Sequence, residues 1–120
     1  MRIKRYNYFH QEVRAVIQKN LNDPNFDIIV LSGLMGISRS QLYRKIKKNT
    51  GLSTASYIRQ IRLQTSKELL QTTDWSIANI AKAVGFNSAS YFTSSFKEAF
   101  GHSPKKCRNA GSDIATNNLD

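Results

Sequence analysis

The sequence lacks the cysteines of disulfide frameworks and metal cages, and it lacks the long apolar runs of membrane spans. Its single cysteine, Cys107, excludes a disulfide framework and a cysteine-based zinc site. No apolar run approaches the roughly 18 residues that a membrane-spanning helix needs. The basic start Met-Arg-Ile-Lys-Arg-Tyr has no apolar block after it, so it does not resemble a signal peptide. We therefore expect a soluble protein of the reducing cytoplasm, with no membrane contact in this chain.

Acidic residues are also scarce. Eighteen Lys and Arg against eight Asp and Glu leave a net charge of +10, which points to a polyanionic partner that offsets the self-repulsion. The sequence lacks a nucleophile–base pair, a glycine-rich phosphate loop and paired acids, so we expect neither enzymatic activity nor a cofactor. His10 and His102 lie far apart without carboxylate or cysteine companions, and we expect no metal site.

Most of the sequence has the apolar periodicity of α-helices. Only Pro24 and Pro104 interrupt the chain, and no segment has the pattern of strand, turn and strand. Apolar residues recur instead at steps of three and four, as in amphipathic helices. This pattern predicts helices that begin near Phe9, after Asp27, after Ser38, at Ser53 or Thr54, after Ser76, and after Asn87 or Ser88. The sequence therefore predicts an all-α fold.

An internal repeat organises these helices. The segment Leu31-Ser32-x-x-x-Gly36-Ile37-Ser38 aligns with Ile80-Ala81-x-x-x-Gly85-Phe86-Asn87 at an offset of 49 residues. Beyond the turn the offset becomes 50, because the second copy has one extra residue. The matching positions there are Leu42 with Phe92, Ile46 with Phe96, Lys47 with Lys97, Gly51 with Gly101 and Ser53 with Ser103.

Each copy has the residue types of a helix–turn–helix. The helices cross at a small residue (Ser32 or Ala81), and a glycine supplies the positive φ of the turn. An apolar residue then fills the core beneath the turn, and Ser38 or Asn87 caps the second helix. The alternative is a helical bundle whose glycines merely end helices.

The charge follows this repeat. Between Ser38 and Lys48 the second helix of copy one has five cations and no acid. Ordinary surface helices mix both signs, whereas a purely cationic helix fits a major groove lined by phosphates. The connecting helix, 54 to 71, would be about 27 Å long. With one unit at each end, the second helices would lie about 34 Å apart, one turn of B-DNA, and enter successive major grooves.

These residues resemble the DNA-binding domain of the AraC/XylS family of bacterial transcription regulators. The resemblance runs from about Phe9 to Arg108. It includes Gly36-Ile37-Ser38-Arg39-Ser40-Gln41-Leu42-Tyr43-Arg44-Lys45, Tyr57-Ile58-Arg59, Val84-Gly85-Phe86, Ser90-Tyr91-Phe92, Phe100-Gly101 and Ser103-Pro104. It implies about seven helices in two helix–turn–helix subdomains joined by a long linker helix. The segment Ser38 to Lys48 is similar to the output domains of hybrid two-component sensor–regulators.

The resemblance also implies which residues meet DNA. Its base-contacting positions fall on Ser40, Tyr43 and Arg44 in the first recognition helix and on Ala89, Ser90, Thr93 and Ser94 in the second. Arg44 suits guanine, and Gln41 suits adenine or a phosphate. Phosphate contacts are expected from Arg39, Lys47, Lys48, Ser88 and Lys97. Arg59 and Arg62 are further phosphate candidates, although Arg62 is better suited to buried hydrogen bonds with Glu68 or a helix end.

Other large side chains are expected in the core. Leu42, Ile46, Phe92 and Phe96 lie on the inward faces of the recognition helices, and Trp75, in the connection between the two units, is expected to fill the core. Cys107 is expected to pack as a small apolar residue.

The predicted organisation has five parts. Residues 1–8 are a linker or upstream remnant, 9–53 the first subdomain, 54–73 the linker helix, 74–108 the second subdomain and 109–120 a disordered tail. The predicted function is sequence-specific binding of double-stranded DNA by a transcription regulator, here assigned to an activator. The alternatives are a non-specific architectural DNA-binding protein and a helical protein-interaction module. RNA polymerase is an expected further partner. The isolated domain is expected to be monomeric, with a dimeric or membrane-anchored parent protein left open.

Overall fold

Seven helices make up the part of the chain that the structure describes. The computed structural model describes the backbone of residues 2–110 and the side chains of residues 8–110, and no strand occurs among them. The helices are α1 (Arg2–Lys19), α2 (Ile28–Met35), α3 (Arg39–Thr50), α4 (Thr54–Thr72), α5 (Ile77–Ala83), α6 (Ala89–Phe100) and α7 (104–110). The all-α prediction is confirmed. No helix in this part of the chain is both long and apolar enough to cross a membrane.

The chain divides within α4 into two units, Met1–Ile61 and Arg62–Asp120. In the first unit α2 packs against α1 and α3, and in the second α5 packs against α6. Each unit has its own buried core. The first core includes Val13, Ile17, Leu31, Leu42, Ile46 and Ile61, and the second includes Leu70, Ile80, Val84, Phe92, Phe96 and Cys107. The core positions predicted for the recognition helices are therefore confirmed.

The turns of the two units have the same hydrogen bonds. Gly36 and Gly85 adopt left-handed φ values of 69° and 85°. The amide of Ile37 then donates to the Ser32 carbonyl at 3.2 Å, and that of Phe86 donates to the Ala81 carbonyl at 2.9 Å. This hydrogen bond ends each helix, because the left-handed glycine before the donor residue has already departed from helical φ and ψ. The repeat seen in the sequence is therefore a repeat of backbone geometry.

Serine side chains begin both recognition helices. The Ser38 hydroxyl accepts the Gln41 amide at 3.1 Å, and the Gln41 side-chain oxygen accepts the Ser38 amide at 3.2 Å. In the second unit the cap is Ser88, which accepts the Tyr91 amide at 3.0 Å, and not Asn87. The extra residue of the second copy therefore lies in the turn, between Gly85 and Ser88, where it shifts no helical register.

Helix α7 closes the second unit. Arg108 donates from Nε to the Leu70 carbonyl at 3.1 Å and from Nη2 to the Thr73 carbonyl at 3.3 Å. These bonds satisfy carbonyls at the end of α4 that have no partner within the helix. Residues 109 and 110 continue α7, although the sequence assigned them to a disordered tail. The remainder of that tail, 111–120, lies outside the described residues.

Two further expectations were wrong. Helix α1 begins at Arg2 and not near Phe9, because residues 2–8 contain neither Gly nor Pro to stop a helix that has started. Trp75 is 47% exposed and fills no core. The second core is already occupied by aromatic rings, with Phe86 and Phe92 at 5.3 Å and Phe92 and Phe96 at 5.8 Å between centroids.

Two glycines in the first unit are expected to respond oppositely to alanine. A methyl group at Gly33 would meet no heavy atom within 4 Å, so Gly33→Ala should stabilise α2 by about 1 kcal/mol through helix propensity. Gly36 has equal space but a φ of +69°, so Gly36→Ala should cost about 1–2 kcal/mol. Thermal unfolding followed by circular dichroism measures both. Equal shifts of the two variants would contradict the assigned turn geometry.

Candidate nucleic-acid interface

Helix α3 has one buried and one exposed face. Leu42 and Ile46 are buried, while every other residue from 39 to 48 is exposed. The exposed residues include all the predicted contact positions of this helix, namely Arg39, Ser40, Gln41, Tyr43, Arg44, Lys47 and Lys48. Because residues three and four apart share a helical face, Ser40, Tyr43, Arg44 and Lys47 form one continuous surface.

The charge of this surface has one sign. Helix α3 has five exposed lysine and arginine residues, one of which is Lys45, and it has no acidic residue. Lys45 differs from the other cations, because its Nζ lies 4.7 Å from the centroid of the Phe9 ring on α1. This cation–π contact joins α3 to α1. Four cations, Arg39, Arg44, Lys47 and Lys48, therefore remain for an anionic partner.

Gln41 has a structural role that the sequence did not reveal. Its side-chain oxygen accepts the Ser38 amide, completing a capping box at the start of α3. A bidentate contact with adenine uses both the oxygen and the nitrogen of a glutamine side chain. Reading adenine would therefore open the cap, whereas the amide nitrogen alone is free to donate to a phosphate.

Helix α6 offers a smaller and less charged surface. Ser88, Ala89, Ser90, Ser94 and Lys97 are exposed, and Thr93 is half-buried. The Ser94 hydroxyl donates to the Tyr91 carbonyl at 3.1 Å within its own helix. Ser88 is occupied as the helix cap. The second surface thus has short hydroxyl groups and one cation.

Tyr91 was missed by sequence reasoning. Sequence analysis assigned it no contact role, yet it is 52% exposed on α6, next to Ser90 in the chain and one turn before Ser94. The Phe86 ring supports it edge-on at 5.5 Å. Two signals in the sequence identify its place. Tyr91 lies one residue off the Phe92–Phe96 stripe, and at the offset of 50 it matches exposed Gln41.

The two arginines of α4 differ in role. Arg59 is exposed, whereas Arg62 is buried and donates from Nη1 to the Gly85 carbonyl at 2.6 Å. The expected buried hydrogen bond of Arg62 to a helix end is confirmed, since Gly85 follows α5. Arg62 therefore supports the turn that precedes the second recognition helix.

The histidines lie in separate aromatic surroundings. His10 Nε2 is 3.4 Å from the Tyr57 hydroxyl, and His102 lies beside the Phe96 ring. Within the described residues no three His, Cys, Asp or Glu side chains come together as metal ligands.

Tyr57, the partner of His10, is itself buried. Burial raises the pKa of Tyr57, and a hydrogen bond from Arg14 partly opposes that rise.

Comparison with known proteins identifies this architecture. A family model described as a helix-turn-helix domain matches residues 31–110. The chain is 36% identical over 99 residues to the HTH-type transcriptional regulator MtrA of Neisseria gonorrhoeae. An AraC-type DNA-binding domain protein from Chromobacterium violaceum superposes with a TM-score of 0.78 at 29% identity, covering 84% of this chain and 89% of that one. The chain belongs to the AraC/XylS family of DNA-binding transcription regulators.

A second solved structure contains nucleic acid. The DNA-binding domain of AdpA, a global transcriptional factor, was solved in complex with a target DNA. It superposes with a TM-score of 0.75 at 28% identity, covering 83% of this chain and 89% of that one.

The curated relatives are longer than this chain. The match to MtrA includes 82% of this chain but only 32% of the length of MtrA. The chain is 33% identical over 98 residues to histidine kinase P4 of Formosa agariphila, again over 82% of this chain but only 7% of the kinase. The same kind of domain thus occurs within proteins of different total length.

Replacing Arg62 is expected to loosen the second unit. Arg62→Met keeps the apolar stem but removes a charged hydrogen bond to the Gly85 carbonyl, and it should cost about 1.5–3 kcal/mol. Arg59→Met, at an exposed position of the same helix, should stay within about 0.5 kcal/mol. Urea unfolding measures both free energies. A similar small loss in the two variants would show that the Gly85 bond contributes little.

Proposed function

We propose that this chain binds double-stranded DNA sequence-specifically, as the output domain of a bacterial transcription regulator. The observation that carries the proposal is the two-sided character of α3. Leu42 and Ile46 attach one side to the core, and the opposite side presents four cations and no acid. A helix of this kind fits the major groove, which is about 12 Å wide. The similarity to a domain solved with its target DNA supports the same function.

The proposed roles on α3 follow from side-chain chemistry. The planar guanidinium of Arg44, near the middle of the exposed face, suits the two acceptors of a guanine edge. Ser40 and Tyr43 lie beside Arg44 and are proposed to make further contacts with bases. Arg39 is at the start of α3, and Lys47 and Lys48 are in its last turn. From these ends of the helix they neutralise phosphates and set its register on DNA.

The proposed roles on α6 depend on shorter groups. Ala89, Ser90, Thr93 and Ser94 suit an apolar contact or a single hydrogen bond to a base edge. Lys97 and the Ser88 hydroxyl are proposed to contact phosphate. We add Tyr91 to these residues, because its ring is exposed and it shares a helical face with Ser94, one turn along α6.

The wider setting is also proposed. The two recognition helices enter successive major grooves, so footprinting should give two half-sites about 10 base pairs apart. The proposed activity is cytoplasmic, because that compartment holds bacterial chromosomal DNA. A regulator containing this chain is proposed to act as an activator that contacts RNA polymerase, with the isolated domain monomeric. The similarity to a protein named histidine kinase supports a two-component parent protein.

Salt dependence tests the proposed function directly. Selection from random duplex DNA supplies a site, and binding to that site is then measured between about 50 and 300 mM salt. Released counterions should give log affinity a slope of about −4 to −8 against log salt. A slope shallower than about −2 would favour the protein-interaction module instead. Equal affinity for selected and random duplexes would favour the architectural protein.

Arg44→Ala is expected to change specificity as well as affinity. Loss of a bidentate guanine contact should cost about 1–3 kcal/mol at the selected site and relax one base position. Lys47→Ala serves as the control, because loss of a phosphate contact weakens all sites alike and reduces the salt slope by about one. Binding to a panel of single-base variants separates the two. Uniform weakening by Arg44→Ala would show that this residue holds phosphate.

The two half-sites are expected to be read unequally. Residues 1–61 have eleven cationic and three acidic side chains, a net charge of +8, against +2 for residues 62–120. Because phosphate attraction dominates affinity, the first unit should anchor the complex and the half-site of the second unit should be more degenerate. Mutation of each base pair in a footprinted site measures the losses. Equal or larger losses under the second unit would contradict this asymmetry.

A further inference from the structure

Helix α2 exposes an apolar surface that the proposed DNA contacts do not use. Ile29 is 59% exposed, Leu34 57% and Val30 41%. With Gly33 they occupy positions i, i+1, i+4 and i+5, which form one continuous strip on the side away from buried Leu31 and Ser32. We name this strip, made of Ile29, Val30, Gly33 and Leu34, the α2 apolar face.

The second copy of the repeat shows that the fold does not require this face. At the offset of 49 its residues match Ala78, Asn79, Lys82 and Ala83 of α5. The inward positions of α5, Ile80 and Ala81, are buried like their counterparts in α2. One framework thus has a polar, lysine-containing outer surface in one copy and an apolar one in the other. Contiguous exposed apolar residues of this kind are typical of interaction sites.

The shape of the face suits a helix. Gly33 leaves open space between the larger side chains, since a methyl group placed there would meet no heavy atom within 4 Å. A side-chain ridge of a second helix fits such a notch, with Ile29, Val30 and Leu34 in the flanking grooves. Helix-in-groove recognition of this type uses apolar residues at i, i+3, i+4 and i+7 of the bound helix.

The surrounding charge determines which helix fits. α2 itself has no charged residue, but its unit has a net charge of +8. That net charge already includes the neighbouring Asp27, whose carboxylate caps the helix by accepting the backbone amides of Ile29 and Val30. A second copy of this chain would bring another net charge of +10 and meet repulsion. A helix with acidic residues beside its apolar stripe would be attracted instead.

We propose that the α2 apolar face is a docking site for an amphipathic helix of another protein, apolar along one side and acidic along its flanks. This proposal does not depend on DNA binding, because its apolar residues are separate from the DNA surface, although the positive charge of the unit includes the four cations of α3.

The probe is a displayed library of 18-residue helical peptides with randomised side chains, selected on the whole chain. Enriched peptides should have an apolar stripe at helical spacing and a net negative charge. Their affinity should fall at least tenfold for the Ile29→Ala, Val30→Asn, Leu34→Ala triple variant, which leaves the charge of the chain unchanged. Trp75→Ala removes an exposed apolar side chain from the other unit and should change the affinity less than twofold.

A second variant keeps the test decisive if the triple variant does not fold. Gly33→Gln fills the notch without removing an apolar contact, and it should weaken the selected peptides at least fivefold while circular dichroism stays helical. The proposal is overturned if neither variant weakens the peptides, or if the enriched peptides are basic. It is also overturned if the chain itself forms a dimer that the variants abolish, because the occupant would then be a second copy.

Discussion

A left-handed glycine in each turn is the constraint on which both units depend. Only because Gly36 and Gly85 adopt positive φ does the next amide turn back to the carbonyl of a residue in the preceding helix. That bond ends α2 and α5 and fixes the direction in which the chain leaves them. The serine caps that follow then begin α3 and α6. The placement of each recognition surface therefore follows from two backbone conformations that side chains with a Cβ rarely adopt.

Each recognition helix has its core residues on one face and most of its proposed DNA contacts on the other, although Gln41 and Ser88 also cap the helices. The inward residues Leu42 and Ile46 of α3 are buried in the first core, while its cations are exposed and Lys45 lies over the Phe9 ring of α1. Binding residues on such a surface are free of packing requirements, because exposed substitutions cost little stability. Arg62 has the complementary role, since its charge is buried to hold the turn of the second unit and not displayed to solvent.

Most helix caps and core positions were predictable from the sequence, whereas the exposure of two aromatic side chains was not. Asp27 and Ser38 were recognised as caps because a cap depends only on the next three residues. Trp75 was misassigned and Tyr91 was missed, because their exposure depends on how completely other aromatic rings fill the second core. The second role of Gln41 was also missed, since the same side chain suits a base and a cap. Apolar spacing predicted six helices in the correct order, and only the family resemblance implied a seventh. The early start of α1 has no distinct signal in the sequence.

The matched ends of α3 and α6 have a consequence for how such a domain diverges or is redesigned. Both helices have 12 residues, begin at a serine cap and end at a left-handed glycine whose amide bonds a lysine carbonyl at 2.8 Å. Outward side chains at matching positions are therefore exchangeable between the two helices without a change of backbone. The inward pairs are not, because Leu42 and Ile46 of α3 are aliphatic whereas Phe92 and Phe96 of α6 are aromatic. A duplicated framework of this kind lets one copy acquire a new surface while the other retains the old.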